Sequence, residues 1–173
     1  MEIEAGMILT ADMLNAVALT GRPIGHWQRV GNQSIEATTN VSNATAIAWD
    51  STVFDEFDSR MDPPDNSQIR PTRPGLYTFI GGVGMGSSSS GTVRGTAWRK
   101  NGAPVEAGSS RPHVTGDIAD FQIEATARTI TVEMDGEEDY VELCGLQNSG
   151  SSLNVNSGVV RPYLILVYSG ELP

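Results

Sequence analysis

The chain has 173 residues, enough for one domain with a sizeable core and too few for two full domains. Its formal net charge of −10 argues against nucleic acid or an anionic membrane as a partner. The single cysteine excludes an internal disulfide framework, and no apolar stretch is long enough to span a membrane.

The N-terminal region predicts one short helix over residues 8–20, with Thr10 able to cap it and Gly21 ending it. Such a short helix is marginal alone, so it needs a docking surface, which is either another protein or its own domain. The start, Met1-Glu2-Ile3-Glu4, lacks the basic and apolar regions of a secretory signal, so we expect synthesis in a cytoplasm. The apolar residues expected to make the docking contact are Ile8, Leu9, Met13, Leu14 and Val17.

The middle of the chain predicts short strands separated by turns. Residues 26–45 read as a linker with edge strands, Ala46–Asp50 as a compact strand, and residues 55–65 as an acidic surface loop. Arg73-Pro74-Gly75 predicts a tight turn into a strand on which the apolar side chains share one face. Those residues are Tyr77, Phe79, Val83 and Met85. The glycines and serines of residues 81–90 lack the lysine and following helix of a phosphate-binding loop.

The second half continues the same pattern. Asn101-Gly102 is a strong hairpin signal after a strand over residues 92–99, and residues 129–134 alternate cleanly between apolar and polar. Three further strands are predicted over residues 140–146, 153–155 and 163–168. From Ala46 onward the pattern amounts to about eight strands with no helical period between them. It predicts an all-β, antiparallel sandwich or barrel.

Two of these strands, residues 140–146 and 163–168, are apolar on both faces. A strand of an antiparallel sheet usually buries only one face, so these two need cover on both sides. The core supplies one cover. The other comes from a second layer of the same chain or from another chain, as in a symmetric oligomer.

The order of these elements resembles the C1q/TNF-like jelly roll over residues 45–170. The resemblance rests on Ala46–Asp50, Pro74-Gly75-Leu76-Tyr77-Thr78-Phe79, Lys100-Asn101-Gly102, residues 136–143 and the terminal aliphatic strand. It implies a compact homotrimer in which the sheet holding the first and last strands faces the threefold axis. The residues that we expect at that axis are Tyr140, Leu146, Tyr163, Ile165 and Tyr168.

The N-terminal residues 5–15 are similar to the opening segment of small virion proteins of tailed bacteriophages, in which a Gly-x-x-Leu-Thr-Ala-x-x-Leu-Asn stretch precedes a fibre or knob domain. This resemblance implies a virion structural protein, at the tail or as a capsid decoration or head fibre. Its segments would be an attachment segment (1–25), a linker or edge-strand region (26–45) and a jelly roll (46–173). Its partners would be two further copies and other virion proteins.

Catalysis has little support in the sequence. His26 and His113 are not connected to Cys144 or to clustered carboxylates by any catalytic or zinc-ligand spacing, so we expect no enzyme, no metal and no cofactor. The acidic residues between Asp135 and Asp139 lack a calcium-loop spacing and read as a solvated turn. The three tryptophans read as core or interface anchors rather than a sugar site. They are Trp27, Trp49 and Trp98.

Two other functions stay open. A binding module would contact a host glycan or surface protein through loops 55–70, 86–91 and 106–118. An enzyme that degrades cell-wall polysaccharide would need two carboxylates in one groove, and no spacing nominates them.

Overall fold

The computed structural model describes residues 19–111, 123–155 and 160–172, and its regular structure is almost entirely β. The predicted helix, apart from Leu19 and Thr20, lies outside these residues, as do the five apolar residues proposed for attachment. The strands are β1 (Arg22–Gln28), β2 (Ser34–Ile35), β3 (Thr45–Ala46), β4 (Ser51–Asp55), β5 (Gly75–Met85), β6 (Arg94–Lys100), β7 (Ala103–Pro104), β8 (Ile123–Thr126), β9 (Ile130–Met134), β10 (Val141–Gln147), β11 (Leu153–Asn154) and β12 (Tyr163–Gly170). A 3₁₀ helix spans Val41–Asn43. Among the described residues, no helix is long and apolar enough to cross a membrane.

The strands form two main antiparallel sheets. The six-stranded sheet has the order β4-β1-β12-β5, and β5 then pairs with β8 along its second half and with β9 along its first half. The four-stranded sheet has the order β3-β10-β6-β7, and β11 pairs with β2 in a short ribbon. The predicted all-β antiparallel sandwich is confirmed.

The core between the sheets is built from the predicted inward faces. Tyr77, Phe79, Val83 and Met85 of β5 are all fully buried, as their shared parity predicts. The three tryptophans are fully buried as well, so they are core residues and do not form an exposed sugar platform.

The structure corrects the prediction for residues 26–45. Residues 26–28 belong to β1, an interior strand that pairs with β4 on one side and β12 on the other, whereas β2 and β3 are edge strands as predicted. Trp27 and Ile35 lie in the core cluster, so this region belongs to the sandwich. Of the strand predicted at Ala46–Asp50, only Ala46 is β structure, and the chain then crosses to β4.

The outer face of β10 is covered by the chain itself. All seven residues of β10 are buried. Val141 and Leu143 join the main core, while Cys144 and Leu146 form a second cluster with Ala44 and Ala97, against which Val41 and Ala46 pack. The segment that leads through the 3₁₀ helix into β3 is therefore the second layer that this strand requires.

The sandwich has two distinct ends. At the basal end, β1 begins, β5 begins and β12 finishes, and the Gly21 N–H donates to the Tyr168 carbonyl at 2.7 Å. At the distal end, β1 finishes and β12 begins, and β5 runs into the glycine and serine loop of residues 86–91. The chain enters the fold at Leu19, which packs on the core from the basal end.

The basal turns require glycine at position 136. Gly136 has φ +79°, and a Cβ there would lie 2.5 Å from Pro74 N, whereas a Cβ at Gly102, with φ +76°, would meet only Tyr140 Oη at 3.6 Å. We expect G102A to lower the free energy of unfolding by about 1–2 kcal/mol, from left-handed strain alone. G136A should lose about 1–3 kcal/mol more because of the added clash. Urea unfolding of both variants checks this, and equal losses would contradict the packing of the two turns.

Candidate functional site

The surface of the six-stranded sheet that faces away from the core, called the outer face below, is the candidate site. The strand registers align its side chains in rows across the sheet. The central row joins Phe54, His26, Ile165 and Ile80 on four adjacent strands. A distal row contains Gln28, Tyr163 and Gly82, and a basal row contains Pro23, Val167, Thr78 and Thr131.

β12 shows how the sheet divides into two faces. Leu164, Leu166 and Tyr168 have no exposed surface and lie in the core, while Tyr163 and Ile165 are half-buried on the outer face. Alternation along a strand places Val167 on the outer face too. The sequence alone left open which of these two sets meets the core.

The three rows carry no Asp, Glu, Lys or Arg side chain. Charges lie at the borders: Arg22 pairs with Glu56 at the basal edge, and Glu124 of β8 stands beside Gly84 at the distal edge. At the edge strand β4, Phe54 is 39% exposed. The centre of the outer face therefore carries no permanent charge inside a charged rim, and its apolar side chains alternate with polar ones such as His26, Gln28 and Thr78. Depletion of charge is typical of the centre of a protein interface.

His26 is the titratable group in the central row. Its ring meets the Phe54 ring edge-on at a centroid distance of 6.1 Å, and Gln28 Nε2 lies 3.5 Å from His26 Nε2. Partial burial lowers the pKa of His26 below its ordinary value of 6.5, which favours the neutral ring. The neutral ring can accept an N–H from the Gln28 amide through Nε2.

Tyr163 occupies the distal row above a glycine. A Cβ at Gly82 would lie 2.9 Å from the Tyr163 ring and 2.8 Å from Glu124 Oε1, so glycine makes room for both side chains. Burial and the hydrogen bond to the Glu124 carboxylate raise the pKa of Tyr163, which keeps the phenol protonated. The hydroxyl and the carboxylate thus satisfy each other at the rim.

The structure separates the five residues predicted at the trimer axis. Tyr163 and Ile165 lie on the outer face. Leu146 and Tyr168 are fully buried within the single chain, so their side chains have no surface to offer a second copy. Tyr140 is half-buried in the basal turn before β10, with the Arg70 guanidinium 5.8 Å from its ring centroid. Sequence reasoning missed Phe54, His26 and Ile80 as members of this surface, because their strands had to be paired before the row became visible.

The residues weighed for chemistry have structural partners. Burial raises the pKa of the Cys144 thiol to about 12, which leaves it protonated and unreactive at neutral pH. The Asp135 carboxylate accepts backbone N–H groups from residues 137–139, and these bonds lower its pKa. Asp139 accepts from Lys100 Nζ at 2.8 Å and from Asn101 Nδ2 at 2.6 Å. Within the described ranges, no group of three or more His, Cys, Asp or Glu residues is placed to hold a metal ion.

The loops considered for ligand binding do not converge. Residues 56–72 close the basal half of one side of the sandwich: Ile69 pairs with Val141, and Ser67 Oγ donates to Glu142 at 2.9 Å. Loop 86–91 lies at the distal end, where Asn148 Oδ1 accepts the N–H groups of Thr92 and Val93, both at 2.7 Å. Most of the third predicted loop, from residue 112 onward, lies outside the described residues.

Comparison with known proteins supports the fold. No protein-family model matches the chain, and a search of curated proteins finds no match. Among solved structures, the chain is similar to the Eiger TNF of S. frugiperda, with a TM-score of 0.57 and 11% sequence identity. The alignment covers 88% of this chain and 96% of that one. At this identity the likeness shows a TNF-like jelly-roll fold.

The two faces of β12 predict opposite outcomes for the same substitution. L166D places a carboxylate in the core without a partner and should abolish folding. I165D places it on the half-buried outer face, where water can reach it, so the domain should keep its β structure. Circular dichroism and tryptophan fluorescence of the two variants check this. An unfolded I165D beside a folded L166D would contradict the assignment of the faces.

Proposed function

We propose that this protein is a structural component of a bacteriophage virion, a homotrimeric knob that its N-terminal segment attaches to the particle. The supporting observation is a partly exposed outer face, with no permanent charge in its three rows, on the sheet that holds the first and last strands of a TNF-like jelly roll. The number of copies and the phage setting come from the sequence resemblances. The knob is made in the host cytoplasm and works on the tail or the head of the virion.

The outer face suits contact between copies because some of its apolar side chains remain partly exposed to water. Ile165 and Ile80 lie side by side on β12 and β5, and Phe54 lies on β4 across His26, so a second copy could remove apolar area on both sides of the histidine from water. Burial of such area contributes about 25 cal/mol per Å². The absence of charge across the three rows also removes the desolvation cost that buried ions would bring.

The other sheet offers a poorer surface. The outer side of β10 is already covered by residues 41–46. Beside this cover, Arg99 Nη2 and Glu142 Oε2 form an ion pair at 3.1 Å, and both side chains are mostly buried. The six-stranded sheet therefore remains the face on which assembly gains most.

The end at which the chain enters the sandwich supports attachment through the N-terminal segment. The chain enters at the basal end, where Gly21 is hydrogen-bonded to Tyr168, while loop 86–91 lies at the opposite end. A segment that precedes Leu19 would thus hold the knob by its base and leave the distal loops facing outward. Its apolar residues, from Ile8 to Val17, would make the contact with other virion proteins.

A host-surface binding module is the second candidate. Residues 86–92 contain glycine, serine and threonine without a charged side chain, and they face away from the end at which the chain enters. Hydroxyl and amide groups of this kind suit a neutral glycan or a polar protein surface. In this function the trimer would present three copies of the distal loop to one cell.

The trimer predicts a specific response to charge. I165D should sediment as a single folded chain at micromolar concentration, because three carboxylates cannot share an apolar interface. A103D is the matched control, since Ala103 is exposed on β7 of the other sheet, and it should sediment as three chains. Equal masses for the two variants would contradict the outer face as the contact between copies.

Removal of residues 1–18 separates attachment from binding. The truncated protein should remain a soluble trimer but be absent from purified virions when it replaces the full chain, as measured by immunoblot. If it also binds host cells in a pull-down, the distal surface is a receptor-binding module; if it does not, the knob is structural only. A truncated protein that still enters virions would contradict the attachment role.

A further inference from the structure

We infer that acid weakens the trimer through His26, whose ring occupies the central row of the outer face and can accept a hydrogen bond from the Gln28 amide only when it is neutral. The inference rests on the trimer proposed above. It assigns the chain a built-in dependence of assembly on pH.

The geometry places the ring where a charge is hardest to accommodate. His26 stands between Phe54 on β4 and Ile165 on β12, both of which are apolar. Protonation puts hydrogen on both ring nitrogens, so the Gln28 Nε2–H can no longer donate to His26 Nε2 at 3.5 Å. In a trimer built on this face, three such cations would be brought together away from water.

Charged groups near the ring are engaged elsewhere. On β4, the Asp55 carboxylate accepts the backbone N–H groups of Ser59 and Arg60 at 2.8–3.0 Å, so it faces the following turn. On β1, Arg22 pairs with Glu56. On β12, Tyr163 is the titratable side chain of the outer face, and its hydroxyl is bonded to Glu124. None of these contacts supplies a counter-ion to the imidazolium.

The direction of the pH effect follows from burial. Within the single chain, partial burial already lowers the pKa of His26, and burial against other copies would lower that pKa further. Free protomers therefore bind protons more readily than the trimer does. Because the pKa of His26 in the free protomer already lies below the ordinary value of 6.5, the trimer keeps its full stability above that lowered pKa and loses it as the pH falls through it.

The expected size of the effect is large because three sites act together. Each histidine that must lose its proton for assembly weakens association up to about tenfold per pH unit, so three weaken it up to about a thousandfold. Because a trimer's half-assembly concentration varies as the square root of that constant, it should rise up to about thirtyfold per pH unit.

Sedimentation of the full chain over a concentration series at about pH 8 and about pH 5.5, on either side of the ordinary histidine pKa, tests the inference. The wild type should be trimeric at the higher pH and dissociate more readily at the lower, with unchanged far-UV circular dichroism. H26Q, which stays neutral, should show the same mass at both. H113Q removes the other histidine and should behave as the wild type does.

The outcomes separate this inference from the proposed trimer. A wild-type mass of three chains that does not respond to pH would overturn the role of His26 and leave the trimer intact. A single-chain mass at the higher pH would overturn the trimer itself. Equal acid dissociation of H26Q would assign the response to another group. If H26Q does not assemble, NMR titration of His26 in the wild type decides, since its pKa must be lower at assembling concentrations than in dilute protein.

Discussion

The structure depends on the pairing of β12 with two neighbours at once. Its backbone is hydrogen-bonded to β1 on one side and to β5 on the other, so the first and last strands of the domain hold each other in place. The register of both ladders puts Leu164, Leu166 and Tyr168 into the core. A slip of one residue would exchange the two faces and send the Tyr163, Ile165 and Val167 set inward, so the register is set by packing as well as by hydrogen bonds.

The same register builds the surface proposed for assembly. Each strand that joins β12 contributes one outward side chain to the central row, and the row stays free of permanent charge because the acidic residues lie in turns and at the edges. β10 also has two apolar faces, but both of them are covered within the chain. Its second apolar face is closed by the chain's own residues 41–46, whereas the outer face of β12 remains partly open. One doubly apolar strand is therefore covered within the chain, and the other keeps one face half-buried at the surface.

Much of the fold could be predicted from local patterns, and the rest required knowledge of distant pairing. The parity of Tyr77 and Phe79 identified the core face of β5, because its other face is less apolar. The core face of β12 could not be predicted in this way, because both of its faces are apolar. Only the packing of the two sheets shows which face is buried. The sequence therefore predicts Tyr168 at the axis, although it is buried in the single chain, and the two apolar faces of β10 lead to the same wrong prediction for Leu146. Phe54 and His26 meet only through the pairing of β4 with β1, which no local period reveals.

Native mass spectrometry of the unmodified full chain at neutral pH counts the copies in solution without any substitution. We expect a complex of three chains, each of 18.4 kDa. A single chain at micromolar concentration would contradict the claim that the outer face of the six-stranded sheet is covered by further copies of this protein.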